Sequence, residues 1–236
     1  MSRLTPHLAE TLKEAIAAYD FPKVLFDFDR QKEIRFPTMR ELEAELLSCL
    51  LSDDPERVKR GLANVLYWGY ARIMYRRTRV ENFRTKVTDD QLRKARSTFA
   101  TLDGGGLIRL KRLGLPEFSH VSFLSKLRMF LDPRRYVVLD KKLMKLANEE
   151  PATLFRRMTE SKTSIPVTRR NEAGYERWCL LCQDVGRANF PGEDLHAADV
   201  ERGVFWLVDS GRAKLAAEIV NEAERDEPLV SPGGMS

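Results

Sequence analysis

The segment SHVSFLSKLRMFLDPRRYVVLDKKLMKLA, residues 119–147, decides how the rest of the chain is read. Phe123, Leu127, Phe130 and Leu131 recur at helical spacing and stop at Asp132 and Pro133, where a proline cannot continue a helix. An apolar run over residues 136–139 follows, and Asp140 then opens DKKLMKLA as an N-cap or first-turn residue. Upstream, LIRLKRLGLPEF supplies another apolar side through Ile108, Leu110 and Leu113, punctuated by Gly114 and Pro116. The two halves together have the form helix, short turn, helix. A mainly α fold is expected, with a helix-hairpin-helix at its centre.

The flanks agree with that class. Leu8, Leu12 and Ile16 predict a first helix over residues 6–19, and VLFDFDRQKEIRF alternates like two short strands joined by a turn. Thr38, three residues ahead of Glu41, starts a helix over 38–52 as a capping box would. A long helical pattern runs from Pro55 through Met74, carries Tyr67, Trp68, Tyr70 and Tyr75, and ends in Arg76, Arg77 and Arg79. Gly69 at its centre predicts either a kink or a closely packed neighbour. A helix over 88–102 stops at Gly104, Gly105 and Gly106. Beyond DKKLMKLA come a short helix over 151–158, a polar loop SKTSIPVTRRNEAG, and helical spacing that resumes at Tyr175. Two last helices are expected over 197–207 and 212–223. No linker separates these parts. A single domain is expected: residues 1–54 form a helix, β-hairpin and helix, 55–225 the helical core, and 226–236 a disordered tail.

Composition narrows the class of function. With 43% hydrophobic and 32% charged residues among 236, the chain is long enough and apolar enough to bury a core. No apolar run approaches the roughly 20 residues of a membrane span, and the first residues lack the apolar centre of a signal peptide. A cytoplasmic protein with no membrane partner is expected. Three cysteines are too few for a disulfide framework; Cys179 and Cys182 fall in a helical pattern and read as core rather than as zinc ligands. Charge is uneven: residues 57–112 hold 15 Lys and Arg against 4 Asp and Glu, while residues 1–56 hold 7 against 12 and 190–236 hold 4 against 10. A basic block between acidic ends suggests a face for an anionic polymer, nucleic acid above all, or else simply a solvated helical surface.

Two side chains in the opening segment can carry chemistry. A lysine becomes a nucleophile when partial burial or a neighbouring cation frees its amine, and a carboxylate on an adjoining element can serve it. Lys126 near the head of one helix and Asp140 at the head of the next, 14 positions on, fit those roles; each also has a bland reading, as a solvated lysine and as a helix cap.

FLSKLRMFLDPRRYVVLDKKL resembles the catalytic segment of the helix-hairpin-helix DNA glycosylases, in particular a bacterial branch described as 8-oxoguanine DNA glycosylase-like. YERWCLLCQDV and AADVERGVFWLV are similar to that branch's closing helices. The resemblance spans about residues 55–207 and is specific over about 30 of them. It implies that Lys126 stands at the Schiff-base lysine and Asp140 at the essential aspartate. The implied activity is excision of an oxidised purine such as 8-oxoguanine, with or without an AP-lyase step, from a flipped nucleotide. No metal or cofactor is implied. The implied partner is double-stranded DNA, bound by a nucleoid-associated monomer. The family's glycine-valine-glycine hairpin turn is replaced by Ser122, Phe123 and Leu124, so Ser122, Ser125 and the backbone near His120 are the candidates for the phosphate contact. Arg76, Arg77 and Arg128 complete the expected DNA-binding set. The alternative is a helix-hairpin-helix protein that binds DNA or another partner without catalysis.

Overall fold

The computed structural model describes residues 3–101 and 105–225. Helix α1 (Pro6–Ala17) begins on Pro6, whose missing N–H is no loss in a first turn, and buries Leu8, Leu12 and Ala15. Strands β1 (Val24–Asp27) and β2 (Lys32–Arg35) pair antiparallel, from Val24 opposite Arg35 to Asp27 opposite Lys32. Asp27 Oδ1 accepts the Asp29 and Arg30 amides in the turn. The free edge of β1 is closed by a side chain: Asn64 accepts from Phe26 N (2.6 Å) and donates to Phe26 O (3.2 Å), as a neighbouring strand would.

Helix α2 (Met39–Leu50) keeps half of the expected capping box. Thr38 Oγ1 accepts the Glu41 amide, while the Glu41 carboxylate takes the Thr38 hydroxyl rather than its backbone N–H. Helix α3 (Pro55–Gly69) stops well short of Met74, and a new helix, α4 (Arg76–Lys86), starts after a non-helical stretch. The sequence pattern continued because Ile73, Met74 and Tyr75 are apolar; these three are exposed rather than part of a buried stripe. Helix α5 (Asp89–Phe99) has the complete Thr88/Gln91 capping box. Gly104 lies outside the described residues; Gly105 and Gly106, at φ 52° and 48°, lead into α6 (Leu107–Lys111). Residues 112–120 then turn the chain into α7 (Val121–Leu131), with Gly114 at φ 65° and Glu117 at φ 68°.

After α7 come an extended run, two 3-10 segments (Lys141–Asn148 and Leu154–Arg157), and helices α8 (Arg169–Asn189), α9 (Ala197–Asp209) and α10 (Ala213–Arg225). Helix α8 starts six residues before Tyr175, inside the segment expected as loop, because Thr168 accepts the Asn171 amide and caps it. Its first turn is exposed at Arg169 and Arg170, which hid the period. The expected tail at 226–236 lies outside the described residues. No described helix is long and apolar enough to cross a membrane.

Helix α3 packs against α2, α4, α5 and α7, and α9 packs against α1, α8 and α10. Helix α7 is buried nearly all round, so its polar side chains must find partners inside. An ionic network ties α2 to α9: Arg202 pairs with Glu43 and with Asp199 (2.9 Å), and Arg40 reaches the same Asp199 (2.5 Å). Among the described residues, 136–139 have no strand partner, yet side chains take their backbone groups. Ser125 Oγ accepts Leu139 N (3.0 Å), Tyr175 Oη donates to Val137 O (3.0 Å), and Trp178 Nε1 donates to Val138 O (3.1 Å). Ser125→Ala leaves the buried Leu139 amide without its acceptor. The expected loss is about 1–3 kcal/mol, measured as a shifted urea midpoint at unchanged m.

Candidate active site

Lys126 and Asp140 meet. Lys126 Nζ lies 2.8 Å from Asp140 Oδ2 and 3.2 Å from Ser122 O, and sits 5.2 Å from the centre of the Phe123 ring. Lys126 is 4% exposed, whereas the Asp140 side chain keeps 30% of its surface. Asp140 satisfies both of its sequence readings with different oxygens: Oδ2 holds the lysine, and Oδ1 accepts Lys142 N (3.2 Å) as the cap of the first 3-10 segment. Burial works against ionisation of Asp140. The Lys126 charge and hydrogen bond, with the Lys142 amide, outweigh it and hold the carboxyl below its ordinary value. The pair is therefore charged at neutral pH on the aspartate side.

Gly69 makes this geometry possible. A Cβ there would stand 2.6 Å from Phe123 Cε1 and 2.9 Å from Lys126 Cδ, so the lysine stem runs directly over the end of α3. Of the two options for Gly69 the close neighbour is the one realised; α3 ends there instead of kinking.

The pair opens on a pocket of about 130 Å³ walled by Tyr19, Phe21, Trp68, Phe205, Val138 and Ile73. That is close to the roughly 150 Å³ of an apolar cavity that accepts a six-membered ring. Larger hollows exist, of about 500 Å³ beside Arg77 and about 650 Å³ behind the β-hairpin, but neither gathers buried titratable groups. Arg72 and Lys142 stand at the pocket's edge, both bound to Asp209, with Arg72 also 3.0 Å from Asp20.

One further pocket residue escaped the sequence reading. Glu201 lies on α9, 4% exposed, and shares the pocket with Lys126 and Asp140. Burial raises its carboxyl to about 8 despite the Arg202 and Lys126 charges. The signal was present: Glu201 falls at helical spacing with Ala197, Val204 and Val208, on the face that turns inward.

The other expected site residues scatter. Ser125 is fully buried and used by Leu139 N, so it cannot face a phosphate. Arg128 is 4% exposed, paired with Glu176 and stacked 3.8 Å over Tyr136; it too is a buried tie rather than a surface cation. Arg76 is bound to Glu33 (2.9 Å) and lies 3.7 Å over the Tyr67 ring. Arg77 is exposed on α4, 5.5 Å over Phe26, at a hollow separate from the Lys126 pocket. His120 is exposed and bridges to Pro166, and Ser122 offers its carbonyl to Lys126. Ser122, Phe123 and Leu124 belong to α7 itself, not to the preceding turn.

Of the aromatic cluster, Tyr67 and Trp68 are core, as Trp68 packs edge-on to Phe130 at 5.0 Å. Cys179 and Cys182 are buried in α8, and burial raises the Cys179 thiol to about 12. The acidic ends fold back on the basic block: Arg60 pairs with Asp29 (2.9 Å), Arg72 with Asp20, Arg76 with Glu33 and Arg96 with Asp53. Among the described residues, Arg109, Lys111 and Arg112 at and just after α6 have no carboxylate within ion-pair distance and are exposed. No model of a known protein family, no curated protein and no solved structure matches the chain.

Proposed function

We propose that this protein is a DNA N-glycosylase of helix-hairpin-helix type that removes an oxidised purine such as 8-oxoguanine. The observation that carries this reading is the 2.8 Å Lys126–Asp140 contact at the wall of a ring-sized aromatic pocket. A pocket with rings on several sides suits a base turned out of the stack, with one ring of the purine inside and the rest at the open edge. The Lys126 amine, its proton relayed through Asp140 to solvent, attacks the anomeric carbon. The glycosidic C–N bond breaks and its electron pair leaves with the base. The returned Asp140 charge stabilises the positive charge that develops at the sugar. Opening of the sugar ring gives an imine on Lys126, from which the 3′ phosphate can be eliminated.

Duplex binding on this reading falls to α6, the 112–120 turn with exposed His120, and half-buried Ser122 at the start of α7. Replacing Arg109, Lys111 and Arg112 by Ala is expected to weaken duplex binding for every sequence. It should also flatten the plot of log K against log salt by about 2–3, at roughly 0.9 per lost phosphate contact. Fluorescence anisotropy across a salt series measures both. The enzyme reading itself is tested by release of free base from a duplex carrying one 8-oxoguanine. Tight duplex binding without release would favour the second reading, a DNA-binding protein without catalysis. The missing hairpin glycines support that alternative.

A further inference from the structure

We propose that Glu201 is the proton donor to the departing base, on the wall of the pocket shared with Lys126 and Asp140. This inference rests on the glycosylase reading and assigns the leaving-group half of the same reaction.

A carboxyl with 4% exposure must be paired or neutral, because an isolated buried charge is far too costly. Among the described residues no cation lies within ion-pair distance of Glu201; its neighbour Arg202 is turned away to Glu43 and Asp199. Glu201 is therefore a neutral acid in the resting protein. Glu201 lines the pocket, so its hydroxyl can meet a group held there.

The groups that face Glu201 divide cleanly. Lys126 from α7 and Asp140 form a closed pair, and Arg72 and Lys142 are held by Asp209. Tyr19 also lines the pocket, but burial raises its phenol far beyond the neutral range. Cys182 from α8 is a buried thiol raised well above its usual value. Asp140 is held below the ordinary carboxyl value and Glu201 is raised to about 8. Two carboxyls in one pocket driven apart in this way take opposite roles, the low one as the charge and the high one as the acid.

The step balances. As the Lys126 nitrogen bonds to the anomeric carbon, the C–N bond to the base breaks and its electron pair moves onto the base. The base nitrogen takes the Glu201 proton, leaving a carboxylate that is reprotonated from solvent. Attack on a preformed abasic aldehyde has no departing base and does not need this proton.

Glu201→Gln keeps the size and shape of the side chain but has no acidic proton to give. The expected result is about 100-fold slower release of 8-oxoguanine. Wild-type release should decline as pH rises through the acid's range, and the residual rate of the variant should be flat there. Borohydride trapping on an abasic duplex should stay within about threefold of wild type. Release within twofold of wild type with the same pH profile would overturn the assignment. Loss of release and trapping together would also overturn it, since that marks a structural role. If the wild-type protein neither releases base nor traps, the glycosylase reading fails instead.

Discussion

Asp140→Asn is expected to slow base release by about 10³-fold while leaving trapping on a preformed abasic site measurable. Removal of a charge preorganised against a developing cation has effects of about 10²–10³, and loss of its proton-accepting role adds to that. The side chain stays nearly isosteric, and the cap on Lys142 N survives because the amide oxygen can still accept. Lys126 loses its counter-ion inside α7. Breaking a buried pair typically costs about 3–5 kcal/mol. The Asp140 side chain keeps 30% of its surface, so screening reduces that to the lower end or below. The depressed carboxyl fixes the pH dependence. Its stabilisation is present above the ordinary carboxyl range and disappears only as pH falls through the lowered value, so the difference between wild type and Asn should narrow in acid. A single-turnover release assay, with urea melts at neutral pH and in acid, measures both. Release within tenfold of wild type would separate Asp140 from the chemistry and leave it a cap and a counter-ion.

Gly69→Ala is expected to remove nearly all activity from a protein that still folds. Alanine is the better helix former by about 1 kcal/mol, and Gly69 has no positive φ to protect. Without the surrounding packing the change would stabilise. The added methyl, however, must displace Phe123 Cε1 from 2.6 Å and Lys126 Cδ from 2.9 Å. Phe123 is packed against Tyr70 with ring centres 4.4 Å apart, and the lysine is pinned at its tip by Asp140 and Ser122 O. Overpacking of this kind typically costs about 1–3 kcal/mol, or a few degrees of Tm per kcal/mol at this size. A shift of about 1 Å in a reacting group costs about 10² in rate. Calorimetry and the release assay together check it: a modest fall in Tm should accompany a loss of 10² or more in rate. Unchanged activity would mean that Lys126 does not work from the position over Gly69.

The sequence made the α-helical class legible because α1, α2 and α5 bury single faces, so their apolar residues keep the helical period. The strand pair was legible from its alternation about a polar turn, although burial does not alternate: β1 buries Val24, Leu25 and Phe26 in succession and β2 is exposed throughout. The break at Gly69 was not, since exposed Ile73, Met74 and Tyr75 mimic the continuation of a stripe that the structure does not contain. Asp140 was singled out as the cap of a helical element, which it is; Lys126 was read near the head of its helix and lies at the middle of α7. The burial of Ser125 and Arg128 on the same helix was hidden, because a helix buried on all sides has no polar face to mark it. Charge counts pointed to a basic face without showing that carboxylates from both ends of the chain would cover much of it. Glu201 was missed for a related cause: its carboxylate stands in the buried stripe of α9, and only the fold places it across from Lys126.

On the proposed mechanism Lys126 is a nucleophile toward the sugar. The most direct measurement is borohydride reduction of the wild-type protein on duplexes carrying 8-oxoguanine or an abasic site, followed by peptide mapping of any adduct. A covalent adduct mapped to Lys126, and absent in Lys126→Ala, is the expected result. An adduct on another lysine, or base release with no adduct and undiminished in Lys126→Ala, would contradict it.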